Sequence, residues 1–584
     1  MSKSEKRNSS QTAVIQNFKN LKNVIIISLS LLSIILIGQK ISMLNPFTDS
    51  IKKNYCPATL PLFTSDKNFL IHEILHDQNF KDGSIKKFSG AIQIPTIIYD
   101  DNPNPIDDPD YYNQWYKFHN YLLQQFPLVH KYLKREIVNN ASLLYTWEGK
   151  NQNLKPIIFS AHIDVVPIEQ NTINDWKYPP FSGFYDSDTD TIWGRGSFDA
   201  KNLLIAQLEA IEHLLSLKRF TTERTIILSY GSDEETGGLQ GAHHLAKLIL
   251  DRYGQDSILA LFDEGAGIIP LKDNKTFVAA ILNTEKGYLD LSIQLSGTGP
   301  GRTGHSSQPP DHTHIGVAGE LISALEKFPF KSNFKVTNPT YEFLNCAAEH
   351  SLSFPKYLEW LIRTARNNSV AEYALGKLLD AQNGFKYYFR TTQAIDVIHG
   401  GNKANALPES VNFLVNHRIE IESSVNQTIQ HFISLAKPIA SKYNYNIRIN
   451  NETIFSVTPN KKIAPAFIDI ETLGSLEPAP ITPPTGKLWD ILTGTVQYVF
   501  EDSMGKPEEP NLFMAPALSP GNTDSKHFWN VTNHIYRFIG SIVPFDILDT
   551  THSVNEHFVM DHHLQAIAFV EQFILNINEH GSAL

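Results

Sequence analysis

Cysteine is almost missing from this chain of 584 residues, which has only Cys56 and Cys346. Two cysteines make no Cys-rich zinc module and at most one disulfide, and whether they pair is open. A protein of this size has core enough to fold without bridges. A basic stripe is missing too. The net charge is −11, with the acids scattered, so nucleic acid is a poor partner. No Gly-x-Ser-x-Gly elbow occurs, and a serine hydrolase has no support. Internal repeats and long low-complexity tracts are lacking. Long apolar runs are scarce, and the single one excludes a multi-span transporter.

That single run is VIIISLSLLSIILIG, Val24 to Gly38, preceded by Lys3, Lys6, Arg7, Lys19 and Lys22. A span needs about 20 residues, and Leu21 with Ile41 to Leu44 can extend it. A cleaved signal peptide is the rival, but its basic region would be long and no Ala-x-Ala-like site follows. The expectation is a membrane contact through a signal-anchor helix over 24–44, with a cytosolic tail over 1–23 and the remainder lumenal or outside. Asn-x-Ser/Thr sequons at Asn140, Asn274, Asn367, Asn426, Asn451 and Asn530 agree with that side of the membrane.

Residues 45–110 are rich in Pro, Asn and Asp and read as a stalk and surface wrap. Strand and helix patterns then alternate: PIIFSAHID, NLLIAQLEAIEHLLSL, RTIILSYGSDEE, SILALFDEG. Alternation of this kind predicts an α/β sheet, in an α/β/α catalytic domain over 111–287. Each strand ends in acids or histidine, where open α/β sheets place their ligands. From Tyr288 the strands alternate wet and dry, as one-sided sheets do. A ferredoxin-like β-α-β-β-α-β lid domain is expected over 288–454, with an extra helical insertion within it. The catalytic domain resumes over 455–584.

Chemistry gathers at five places: SAHIDVVP with His162 and Asp164, WGRGSFDAKN with Asp199, GSDEETGG with Glu234 and Glu235, LFDEGAG with Asp263 and Glu264, and TTHSVNEHF with His552. Imidazole and carboxylate together suit Zn²⁺, and also Mn²⁺ or Co²⁺. A metal pair needs a bridging carboxylate and two terminal ligands on each ion, with a further group to hold the attacking water. Side chains at a strand end alternate in direction. Glu235 is therefore assigned to the metal and Glu234 to general base.

These motifs in this order resemble the dinuclear-zinc family of aminoacylase and glutamate carboxypeptidase, and within it the vacuolar Gly-X carboxypeptidase branch. The resemblance runs from about Pro57 to the C-terminus. It implies two zinc ions, with His162 and Asp263 (or its neighbour Glu264) on one, Glu235 and His552 on the other, and Asp199 between them. Asp164 would orient His162. His305, in GRTGHSSQPP, would stabilise the oxyanion, often across a dimer interface. Asn405 and Arg418 would grip a substrate carboxylate. Gly521 and Asp524, in SPGNTDSKHF, would belong to a substrate-binding loop.

The activity so implied is a metallocarboxypeptidase acting on short peptides, in a vacuole membrane with its catalytic domain lumenal. An N-acyl-amino-acid amidohydrolase needs the same metals and the same grip. An aminopeptidase fits less well, because Arg418 suits a carboxylate. An inactive membrane-anchored binding protein is the remaining alternative, although the ligands and the base are all present. The insertion around Phe354 to Leu379 lengthens the lid and leaves a lid-mediated homodimer open.

Overall fold

The computed structural model describes residues 56–65, 70–217, 220–273, 275–299, 301–351, 354–382, 384–458, 464–505 and 512–584. The expected anchor over 24–44 and the sequon at Asn274 lie outside them. Among the described residues no helix is long and apolar enough to cross a membrane.

The catalytic domain is built on a mixed eight-stranded sheet. Its order is Lys134–Val138, Ser142–Trp147, Ile226–Gly231, Ile157–His162, Ala260–Pro270, Ile535–Ile542, Phe277–Glu285 and Leu512–Ser519. Ile157–His162 and Ile226–Gly231 are buried along their whole length, because helices cover both faces. Lys201–Ser216, Lys487–Ser503 and Met560–His580 pack on one face, and Ala242–Tyr253 packs on the other. The first face carries the main core, including Phe159, Phe262 and Phe573.

Two expectations about boundaries are corrected. The stretch over 45–110 is more than a surface wrap: helices Leu70–His76 and Gln78–Ile92 lie within it, and Ile74, Phe88 and Ile92 are fully buried in the main core. Asp77 caps the second helix by accepting from the backbone N–H groups of Asn79 and Phe80. Polar loop composition around these helices hides a short amphipathic pair.

The lid also ends later than residue 454. Its six-stranded sheet runs Thr392–Gly400, Ser410–Ile419, Gly287–Ser296, Ala466–Leu476, Tyr445–Ile449, Glu452–Phe455. Ala466–Leu476 pairs antiparallel with Gly287–Ser296, so it is the fourth strand of the ferredoxin-like unit. Tyr445–Ile449 lies one place further out and pairs parallel to it. Helices His314–Lys327 and Val425–Tyr443 cover one face and bury a separate core. Burial along Gly287–Ser296 alternates as a one-sided strand requires.

The insertion forms three helices, Thr340–His350, Lys356–Ala365 and Ser369–Asp380, with a small core of their own. It leans on the catalytic domain's edge strand Leu512–Ser519. A disulfide joins Cys56 to Cys346 beside that strand, and His350 stacks on Phe513 with ring centroids 3.4 Å apart. Lys286, at the junction of the domains, donates to the carbonyls of Tyr387 and Arg390 at 3.1 and 2.9 Å. Burial pushes its amine down to about 7.

Candidate metal centre

His162 ends its strand with its ring fully buried, and Nδ1 lies 3.0 Å from the backbone carbonyl of Asp164. That contact points Nε2 into the cleft. Nε2 is 2.9 Å from Asp199 Oδ1 and 3.3 Å from Glu264 Oε2. The other Asp199 oxygen, Oδ2, is 3.1 Å from His552 Nε2, and His552 Nε2 is 3.0 Å from Glu235 Oε2. Each oxygen of Asp199 thus faces a different imidazole, the arrangement of a bridging carboxylate. The two halves are His162 with Glu264 and His552 with Glu235.

Asp263 is corrected here. Its Oδ2 accepts from the backbone N–H of Ser525 at 3.0 Å, and it is Glu264 that lies against His162 Nε2. The reason is a β-bulge. Arg537 pairs with Asp263, but the next residue, Phe538, pairs with Ala266, so Glu264 and Gly265 are extra. A bulge re-aims side chains, and here it turns Glu264 to the cleft. Gly265 is needed because a Cβ there would come within 2.6 Å of the Arg537 carbonyl.

The two glutamates diverge for a different reason than strand alternation. Glu234–Thr236 is a 3₁₀ turn, closed by Gly237 in a left-handed conformation. Both turn N–H groups are held by Asp164, whose Oδ1 and Oδ2 accept from Glu234 and Glu235 at 3.1 and 3.0 Å. Asp164 therefore anchors the turn, and its Oδ1 is a longer 3.5 Å from His162 Nδ1. Glu235 reaches His552, while a carboxylate oxygen of Glu234 lies within 4.8 Å of both His162 and Glu264.

Glu556 is a group the sequence showed only as part of a motif. Its Oε1 accepts three backbone N–H groups, from Gly196, Phe198 and Asp199, at 3.0, 2.9 and 3.1 Å. Its Oε2 pairs with Arg195 at 2.6 Å. This fully buried carboxylate shapes the loop that presents Asp199.

The charge of the cluster calls for cations. Burial and neighbouring carboxylates push Glu235 up to about 7 and Glu264 up to about 8. Burial, with Glu264 beside it, raises Glu234 well above its ordinary range. Hydrogen bonds to Asp199 and Glu235 lift His552 to about 10. Four carboxylates crowded round two imidazoles are stabilised by positive charge, and this donor set fits a pair of divalent ions.

Of the expected substrate groups, Arg418 is tied to the cleft. Its Nη1 donates to Asn522 Oδ1 at 2.9 Å, and Asn522 lines the cleft with Thr523, Asn202 and the metal-site acids. Asn522 in turn donates to the Lys286 carbonyl at 2.6 Å. Gly521 lies beside it, at the rim of a neighbouring cavity. Asp524 is corrected: it is buried beneath the double-glutamate turn, against Gly231 and Gly238, and does not line the cleft. Any Cβ at those two glycines would collide with its carboxylate. His305 and Asn405 meet on the lid, where Ser306 N–H donates to the Asn405 carbonyl at 3.2 Å. Both are exposed and neither lines the cleft.

A model of peptidase family M20/M25/M40 matches residues 158–576. The chain belongs to that family. It is 47% identical over 531 residues to carboxypeptidase S of Saccharomyces cerevisiae, covering 90% of this chain and 89% of that one. It is 30% identical over 499 residues to the N-fatty-acyl-amino acid synthase/hydrolase PM20D1 of Bos taurus, covering 83% and 86%. Among solved structures, the di-peptidase Dug1p of Saccharomyces cerevisiae matches with a TM-score of 0.56 at 12% identity, covering 87% and 98%. That likeness extends the M20 fold across both domains.

Proposed function

We propose that this M20 peptidase is a carboxypeptidase that releases the last residue of short peptides, with two zinc ions in the cluster around Asp199. One observation carries the reading: Asp199 lies between two His–Glu pairs, with Glu234 beside them and directed to the same cleft. His162 and Glu264 would hold one ion, His552 and Glu235 the other, and Asp199 both. Metal ions at this place lower the pKa of water and polarise a carbonyl.

The chain's own groups account for the remaining steps. Arg418, steadied by Asn522, pairs with the C-terminal carboxylate and sets the peptide's register. Glu234, raised by burial, takes the proton of the attacking water and delivers it to the leaving nitrogen. Asp164 keeps the turn rigid, so Glu234 and Glu235 cannot exchange places. His305 and Asn405 would act on the substrate of a second protomer, and their exposure on the lid supports that assignment.

We place the catalytic domain in the lumen of a vacuole, anchored by the segment over 24–44. The Cys56–Cys346 disulfide supports an oxidising compartment. So does the exposure of all five described sequon asparagines, Asn140, Asn367, Asn426, Asn451 and Asn530. Endoglycosidase treatment should increase gel mobility, and an unchanged band would remove the glycoprotein assignment.

The purified enzyme should release leucine from a blocked Gly-Leu dipeptide, and a chelator should abolish the release until zinc is restored. Chelator-resistant hydrolysis would overturn the metal mechanism.

A further inference from the structure

A second group of side chains able to ligate a metal lies outside the cleft. His72 and His76 sit on the first described helix, Leu70–His76, and Asp502 lies in the last turn of helix Lys487–Ser503. None of the three lines the metal cleft. Residues four apart share one face of a helix, and the two imidazole rings have their centroids 4.5 Å apart. His76 Nε2 is 3.3 Å from Asp502 Oδ2, and His72 Nδ1 is 3.8 Å from the same oxygen.

That spacing suits the ligands of one ion. Zinc bonds of about 2.0–2.2 Å to imidazole nitrogen and carboxylate oxygen put tetrahedral ligands about 3.3–3.6 Å apart. His76 and Asp502 already meet this separation. The His72 side chain is 65% exposed, so it can turn to close the remaining gap. An ordinary ion pair accounts for the group less well. One carboxylate oxygen faces two imidazoles, and two imidazolium rings side by side would repel. Glu73, the acid between the histidines, is turned the other way, with Oε2 3.6 Å from His213 Nε2. A divalent cation satisfies all three groups while both rings stay neutral.

The helix has reason to be fastened. Its inner face, Ile71 and Ile74, is buried in the main core, but seven residues are too few to hold a helix unaided. An ion between His72 and His76 braces the turn that separates them. Asp502 ties that turn to a helix 426 residues beyond His76, and a clip that closes so long a loop gains most from restricting the unfolded chain.

We propose that His72, His76 and Asp502 bind a further Zn²⁺, with water in the fourth position, and that this ion clips the first described helix to the catalytic domain. Imidazole with carboxylate suits zinc and its first-row neighbours rather than Mg²⁺ or Ca²⁺, which take oxygen ligands.

The test strips the purified enzyme with a chelator, restores zinc by equilibrium dialysis and counts the bound ions. His76→Gln and Asp502→Asn should each hold one zinc fewer per chain than the wild type and cleave blocked Gly-Leu at the wild-type rate. Counting by difference keeps the result independent of how many ions the Asp199 cluster holds, and of whether the peptidase reading stands. The rise in Tm on adding zinc should be smaller in both variants. Should one of them misfold, the other decides. Equal zinc content in wild type and variants would overturn the site. One zinc fewer with an undiminished rise in Tm would overturn the clip. Loss of blocked Gly-Leu hydrolysis along with the missing zinc would assign that ion to the catalytic centre, and the proposal would fall.

Discussion

At the scale of single residues, adjacent acids take unlike tasks because the backbone aims them differently. Glu234 and Glu235 share one 3₁₀ turn, and only Glu235 touches His552. Glu234→Gln is expected to retain both metals and to lose turnover by about a hundred- to ten-thousand-fold, the usual worth of a positioned base. Metal analysis and kcat on one preparation decide it, and near-normal kcat would remove Glu234 as the base. Glu556 acts at one remove, through the backbone of Asp199. Glu556→Ala deprives three N–H groups of their acceptor and should weaken metal binding about 10–100-fold. Titration in metal buffers reads the affinity, and a melting curve separates it from unfolding. Unchanged affinity would mean that the Asp199 loop holds its own shape.

At the scale of elements, the insertion and the sheet are stitched at a turn. Asp273 sits between Ala260–Pro270 and Phe277–Glu285 and accepts from the N–H groups of Lys275 and Thr276 at 2.9 and 2.8 Å. It also accepts from the Ser351 hydroxyl at 3.0 Å, at the end of the first insertion helix. Burial works against its charge, but these hydrogen bonds prevail and bring it down from 3.8 to about 2. A carboxyl depressed in the fold stabilises fully above its unfolded pKa and loses that contribution as pH falls through the folded one. Asp273→Asn should therefore cost about 1 kcal/mol near neutrality, with the gap in Tm closing between pH 3.8 and about 2. A gap that persists at the acid end would show that packing, not charge, holds the turn.

At the scale of the molecule, two cores stand apart, one around the catalytic sheet and one in the lid. The proposed metal ligands all come from the catalytic domain, from stretches as distant as His162 and His552. Ions that bind only the folded cluster stabilise it by mass action, about 2.7 kcal/mol for a site at a hundredfold excess over its Kd. A chelator should therefore lower the melting temperature of the catalytic domain, with the lid's own transition in place. Calorimetry with and without chelator measures this, and a single unmoved transition would contradict it.

Much of this was legible in the chain itself. Apolar runs ending in His162, in Glu234 and Glu235, and in Asp263 and Glu264 mark strands that bring candidate ligands to one edge of a sheet, because burial and polar chemistry leave separate signatures along a strand. The loop of Asp199 and the downstream His552 were legible from residue type and order. What the tertiary structure alone decided lies where distant segments meet. A bulge against Arg537 chose Glu264 over Asp263, and strand periodicity carries no sign of an extra residue. Packing beneath Gly231 and Gly238 turned Asp524 inward. Pairing with Gly287–Ser296 made Ala466–Leu476 the lid's fourth strand, since pattern identifies a strand but not its neighbour. The insertion's docking on Leu512–Ser519 opened the apolar cavity. A cavity is the space between surfaces, and no single stretch of sequence contains both.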